Sequence, residues 1–354
     1  MNNISLYDVE EIDEFIKYLS CLGLIFHPDY FSDGVVDAKT LINLEHSGYD
    51  KVIILDSNFC SYLYEIAKYG KCKDRDSEIL TGFVVAFAKY INSNLSFGFS
   101  LYENDTFSDT IPSRIKEKYA NILFSNTNFR FWLDIAEGNY KEIEINNLEL
   151  EINDTSRYKE IDIHLLMHRI SLIKLLCIYK RSKTENRFDL FVEFFNWYID
   201  NMIISNALIV YAVLIFGNYS NIKLPKNCNS DNISKILKGI ENQAWDINQI
   251  TQWSTFYTKE NGDKCIYMFA TNDYTLKKII VESIYTMSIP NIVFETFSTK
   301  KQRHVINDII DQKLGKNRIK PFLTHDKFEI NKLLQPLLED VTLELKNSIV
   351  YRNN

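Results

Sequence analysis

The sequence predicts an α/β fold, a parallel sheet sandwiched by helices with a large helical insertion and helical terminal extensions. Two apolar runs predict the sheet. Lys51 to Asp56 (KVIILD) and Cys265 to Thr271 (CIYMFAT) are short enough to be strands buried on both faces, and each passes through a polar turn into a helical period. The stretch from about Asp162 to Phe216, helical in period and heavily aromatic, predicts the insertion.

Residues 1–50 read as an N-terminal helical extension, because Val9, Ile12, Phe15, Ile16, Leu19 and Leu22 recur at helical spacing. Residues 51–135 supply the first part of the core. They hold the first strand, the turn Asp56-Ser57-Asn58, a helix from Phe59 to Tyr69, and a second helix capped by Asp76 or Ser77 and ending near Tyr90. Leu95 to Glu103 then leads an apolar segment into an acid. Residues 136–232 begin with a hairpin, suggested by the period-two alternation of Glu142 to Ile152 around Asn146-Asn147. The helical insertion follows, with Leu165, Leu172 and Leu176 on one face of its first helix and Phe191, Phe194, Phe195 and Tyr198 in its second. Asn221 to Asn232 has the composition of a surface loop.

Residues 233–298 return to the core. A helix from Ile233 to Phe256, a turn at Asn261-Gly262, the second strand, the turn Thr271-Asn272-Asp273 and a helix to about Tyr285 precede one more expected strand at Ile292 to Phe297. Residues 299–354 form a basic, then helical, C-terminal extension.

Composition narrows the class. With 46% hydrophobic and 25% charged residues the chain is globular in character, and 11 Gly and 6 Pro against 21 Tyr and 23 Phe argue against long flexible connectors. The most apolar stretch, Ala207 to Gly217, falls short of the roughly 20 residues a membrane span needs, so it is expected as a buried core helix. Met1 to Glu14 is acidic and lacks a secretory signal, which predicts a cytoplasmic protein. Cys21, Cys60, Cys72, Cys177, Cys228 and Cys265 are scattered, without zinc-ligand spacing. A net charge of −7 argues against indiscriminate polyanion binding and leaves room for a local basic groove.

The chemistry is carried by acids at strand ends. Two parallel strands that each deliver an Asp to a strand-to-helix turn, Asp56 and Asp273, place carboxylates at the edge where open sheets build their sites. Asp246, in Ala244-Trp245-Asp246, lies on the helix before the second strand. Carboxylates brought close repel, and such a cluster is stabilised by a divalent cation, for which Mg²⁺ or Mn²⁺ suits oxygen donors. A cation so held can activate water against a phosphodiester.

The turn Asp56-Ser57-Asn58, the Ala244-Trp245-Asp246 helix and the turn Thr271-Asn272-Asp273, in that order, resemble the PIN-like nuclease family. The resemblance covers the first strand-helix unit and about Glu241 to Phe297. It implies a PIN-like core in which Asp56, Asp246 and Asp273 are catalytic and metal-ligating, Ser57 and Asn58 orient the first ligand, and Thr271 supports the last. The family's second acid is Glu103 or Glu78, of which Glu103 is favoured by its distance from Asp56, while the helix dipole also explains Glu78. Taken singly, the Asp-Ser-Asn and Thr-Asn-Asp turns are ordinary caps and Asp246 an ordinary helix residue.

Three basic segments offer a phosphate-tracking surface, though each alone is also an ordinary solvated face. They are Lys68 with Lys71, Lys73 and Arg75; Lys180, Arg181 and Lys183; and, most substantially, Lys300, Lys301, Arg303, Lys313, Lys316, Arg318 and Lys320 with Phe322 nearby. His164 and His168 lie four apart with no intervening Glu of an HExxH motif, and read as a partly buried structural pair. The expected function is a divalent-metal-dependent endonuclease, a ribonuclease by the resemblance. A toxin or defence role, with a protein partner over the acidic pocket, would suit such an enzyme. The alternatives are a catalytically inactive PIN-like module that binds nucleic acid or protein, and, ranked last, a Rossmann-type binder, for which no glycine-rich loop follows either strand.

Overall fold

The computed structural model describes residues 9–32, 35–98, 113–139, 162–284, 289–313 and 327–350. In chain order these form α1 (Val9–Leu22), β1 (Ile25–Phe26), β2 (Phe31–Ser32), β3 (Val35–Val36), α2 (Ala38–Leu44), β4 (Asp50–Leu55), α3 (Ser57–Tyr69), α4 (Arg75–Tyr90) and β5 (Asn94–Ser96). There follow α5 (Ser113–Asn126), α6 (Phe129–Ala136), α7 (Ile163–Tyr179), α8 (Arg187–Asn201), α9 (Asn206–Phe216), α10 (Ile233–Tyr257) and α11 (Glu260–Asp263). Last come β6 (Cys265–Ala270), α12 (Tyr274–Ile284), α13 (Ile292–Thr296), α14 (Lys300–Lys313) and α15 (Lys327–Val350). The chain divides into two compact units, residues 1–159 with 253–272 and residues 160–252 with 273–354.

The first unit holds the sheet, in the order β1-β6-β4-β5. The two predicted strands lie at its centre, parallel and paired through six positions from Asp50 with Cys265 to Leu55 with Ala270. β5 is parallel to β4, but β1 runs antiparallel to β6, so the sheet is mixed rather than parallel throughout. Ile53, Ile54 and Leu55 and, in β6, Met268, Phe269 and Ala270 are all buried, as strands covered on both faces require. Trp253 packs its ring 5.7 Å from that of Phe269 and donates its indole N–H to the Tyr267 carbonyl at 2.7 Å.

Several expectations need correction. The first 50 residues are not helical only: they contribute β1 and the β2-β3 hairpin, whose two-residue strands are too short to show a period. The N-cap of α4 is Asp74, which accepts the Ser77 N–H at 3.1 Å, rather than Asp76 or Ser77. Asn261-Gly262 lies inside the short α11, and the reversal into β6 comes at Lys264 with φ 50°. Ile292 to Phe297 is not a strand: Glu295 and Phe297 donate to the carbonyls of Asn291 and Val293, closing helical turns. The expected hairpin at Glu142 to Ile152 lies outside the described residues.

The second unit is helical among its described residues. Every residue of α9 from Ala207 to Phe216 is buried, as expected of the most apolar stretch. No described helix is long and apolar enough to cross a membrane. Asp162 joins α7 to α10: one carboxylate oxygen caps the Leu165 N–H at 3.1 Å, and the other accepts the Asn248 and Gln252 side-chain amides at 2.7 Å each.

In the first unit, α4 and α6 pack backbone to backbone at Gly82. A Cβ there would stand 2.6 Å from the Ala136 nitrogen. Gly82→Ala is therefore expected to destabilise the protein by about 1–3 kcal/mol, despite the higher helix propensity of alanine, because backbone must move to admit the methyl group. Urea unfolding of the variant checks this; an unchanged or raised midpoint would contradict the close approach.

Candidate functional site

β4 delivers the chain to Asp56, the residue after its last, which is 2% exposed. Its position follows from the strand: the Asp56 N–H continues the ladder to the Ala270 carbonyl at 3.0 Å, after which the chain turns into α3. One carboxylate oxygen then accepts the Phe59 N–H at 2.8 Å as the helix cap, and the other accepts the Thr271 hydroxyl at 2.6 Å. Thr271, fully buried at the end of β6, is held in turn by its own N–H on the Leu24 carbonyl at 2.9 Å. The first acid and the Thr-Asn-Asp turn are thus joined directly, and Thr271 bonds the first acid. Ser57 is half-buried and Asn58 exposed.

The other two acids belong to the second unit. Asp273 caps α12, accepting the Thr275 and Leu276 N–H groups at 2.7 and 3.0 Å. Asp246 lies half-buried on α10, with the Gln243 amide 3.5 Å from its carboxylate. Both act on one group that the sequence did not single out, the fully buried phenol of Tyr211 on α9. Burial chiefly raises its pKa well above the ordinary value, and the negative charges of Asp246 and Asp273 raise it further. Its hydroxyl donates to the Lys223 carbonyl at 3.0 Å. A tyrosine within an apolar helical run reads as core, so only the fold reveals the acids beside it.

The remaining site residues fall differently. Glu78 is committed locally, accepting the Cys72 N–H at 2.8 Å and pairing with Arg75. Glu103, Lys316 and Arg318 lie outside the described residues. Lys300, Lys301 and Arg303 are exposed at the start of α14. Among the described residues no group of three or more His, Cys, Asp or Glu is gathered to hold a metal ion.

His164 and His168 do not form a ligand pair. His164 is exposed, whereas His168 is buried with Nε2 3.2 Å from the Thr251 hydroxyl, which lies 2.8 Å from that of Ser205. Burial, with a smaller contribution from His164, lowers the His168 pKa to about 3.

Comparison with protein-family models, with curated proteins and with solved structures finds no match to this chain.

Two outcomes follow. The Asp56–Thr271 bond should appear as a coupling of about 1–3 kcal/mol in a double-mutant cycle of Asp56→Ala and Thr271→Val, since its acceptor is a buried carboxyl group. Additive unfolding free energies would contradict it. For His168 the folded pKa lies below the unfolded one. Its contribution is therefore complete above about pH 6.5 and is lost as pH falls towards about 3, where the folded protein takes up the proton too. His168→Asn should flatten the pH dependence of urea unfolding across that window.

Proposed function

We propose that the chain is a divalent-metal-dependent nuclease, with RNA preferred to DNA, that works through carboxylates of the set the sequence singles out, Asp246 and Asp273 first among them. The observation that carries the reading is that Asp246 and Asp273, distant in sequence, both act on the buried Tyr211 phenol. Carboxylates that share a site repel, and a divalent cation is the group that relieves such repulsion. The donors are all oxygens, which suits Mg²⁺ or Mn²⁺ for these ligand places. When bound, such a cation lowers the pKa of a water and neutralises charge developing on a phosphodiester.

The chain's own residues would do the positioning. The cap that Asp273 makes on α12 fixes the rotation of its carboxylate, and the Thr271 hydroxyl secures the turn from the Asp56 side. Lys300, Lys301 and Arg303, exposed on α14, would meet phosphates. A toxin or defence role, restrained by a protein partner, remains part of the proposal.

The experiment is cleavage of end-labelled single-stranded RNA and DNA with Mg²⁺, Mn²⁺ or EDTA, alongside Asp246→Asn and Asp273→Asn. Cleavage should require metal and fall at least about 100-fold in either variant, as loss of a preorganised electrostatic group does. Mn²⁺ should also raise the unfolding midpoint of the unaltered protein and not of the double variant. Metal-independent cleavage, or cleavage indifferent to both substitutions, would sink the reading, and binding without any cleavage would leave the inactive binding module in its place.

A further inference from the structure

His27, the residue after β1, is buried in the first unit and held at both of its ring nitrogens. Nδ1 accepts the backbone N–H of Asp29 at 3.1 Å. Nε2 lies 2.9 and 3.1 Å from the two carboxylate oxygens of Glu260, the buried first residue of α11. The nearer of those oxygens also accepts the Tyr267 N–H of β6 at 2.6 Å. The rings of Tyr30 and of Tyr257, at the end of α10, stand against the imidazole with centroids 4.7 and 5.4 Å from its own.

These partners fix where the protons are. A ring nitrogen that accepts a hydrogen bond carries no hydrogen, so Nδ1 is bare and the one proton of the neutral imidazole sits on Nε2, where Glu260 accepts it. A second proton can enter only at Nδ1. There it would face the Asp29 N–H, donor against donor, whereas the contact of Nε2 with Glu260 would be kept and become charge-assisted. The conflict therefore falls on the turn at residues 27–29. That turn opens the β2-β3 hairpin: the His27 carbonyl accepts the Phe31 N–H at 3.0 Å, and the Tyr30 carbonyl accepts the Asp37 N–H at 2.9 Å. The Phe31 ring then meets that of Phe87 on α4 edge-on, with centroids 5.6 Å apart. Besides Glu260, the ionisable groups around the imidazole are the Tyr30 and Tyr257 phenols and the Asp29 carboxylate, which lies 3.4 Å from the Tyr257 hydroxyl. Burial chiefly raises the Tyr30 pKa, with Asp29, Glu260, Tyr49 and Asp37 adding to it, so that phenol stays neutral. The acceptor at hand for a protonated Nδ1 is the Asp29 carboxylate.

We propose that His27 is a pH-sensitive latch on the β2-β3 hairpin. Neutral, it closes the turn onto the Asp29 N–H; protonated, it gives up that bond, turns Nδ1–H towards the Asp29 carboxylate and loosens the hairpin from α4. The latch rests on the hydrogen bonds of the first unit and is independent of the nuclease reading. A histidine that served only as a packing group would leave the turn the same in either charge state.

The test is nuclear magnetic resonance of the full chain across the range in which histidines ordinarily change charge, from about pH 8 to about pH 5. Nitrogen-15 shifts of the imidazole report which ring nitrogen is bare, and amide exchange, each rate divided by that of an unstructured chain at the same pH, reports the turn. At the alkaline end Nδ1 should be bare. As it takes up a proton, the protection of the Asp29 and Phe31 amides should fall about tenfold or more, while that of Ile54 in the centre of the sheet stays as it was. His27→Asn, whose side-chain oxygen can accept the Asp29 N–H but cannot be protonated, should keep the turn closed at both ends of the range. Should that variant not fold, the unaltered protein decides alone, its His27 signals assigned through their proximity to the Tyr30 and Tyr257 rings. Four results would each overturn the proposal: Nδ1 protonated at the alkaline end, no proton uptake by His27 within the range, protection of Asp29 and Phe31 unchanged by that uptake, or a loss shared by Ile54, which would be general acid unfolding. A loss that persists in His27→Asn assigns the effect to another group and overturns it too.

Discussion

The parallel pairing of β4 with β6 is the constraint on which the first unit depends. Six registered pairs align strands more than two hundred residues apart in sequence, and neither strand carries a charge within its buried end. The one lysine in the ladder, Lys51, is 2% exposed, and its ammonium reaches the Leu41 carbonyl at 3.3 Å and Glu45 at 3.4 Å. Its apolar stem packs with the sheet while the charge finds acceptors beyond it. Both strands end at the same level because Leu55 pairs with Ala270. The residues that follow, Asp56 and Thr271, must then lie side by side, and the 2.6 Å bond between them is a consequence of register.

That bond explains how a nearly buried carboxylate is tolerated. An ionised carboxylate removed from water costs several kcal/mol unless donors replace the lost hydration. Asp56 receives a backbone N–H from the first turn of α3 and the Thr271 hydroxyl, and the amino end of the helix favours its negative charge. Asp273 uses the same device on α12, while Asp246, in the interior of α10, has a glutamine amide at long range and no helix terminus to favour it. Of the three acids it is the one whose charge the helix dipole supports least.

How much of this is legible in sequence depends on whether a feature has a period. KVIILD and CIYMFAT are readable because apolar runs bounded by turns report burial directly, and both strands appear within a residue of their expected limits. IVFET, whose apolar run of Ile292, Val293 and Phe294 is shorter, becomes a helix, since so short a run carries no period that separates the two states and its first turn closes on Asn291. β1 was invisible for a related reason: two residues, Ile25 and Phe26, become a strand only because β6 offers them an edge. Among the site residues, the acids were legible as turn and cap chemistry, whereas the link from Asp56 to Thr271 and the influence of Asp246 and Asp273 on Tyr211 arise from pairing and packing across long sequence intervals.

The acidic balance of the whole chain does not weigh against a polyanionic partner. At physiological ionic strength charges more than about 8 Å apart in solvent are largely screened, so a phosphate at the surface responds to the few groups around it rather than to the total of −7. At the start of α14 those groups include Lys300, Lys301 and Arg303, all exposed. The overall negative charge acts on the approach instead, slowing encounter at low salt and disfavouring contacts elsewhere on the surface.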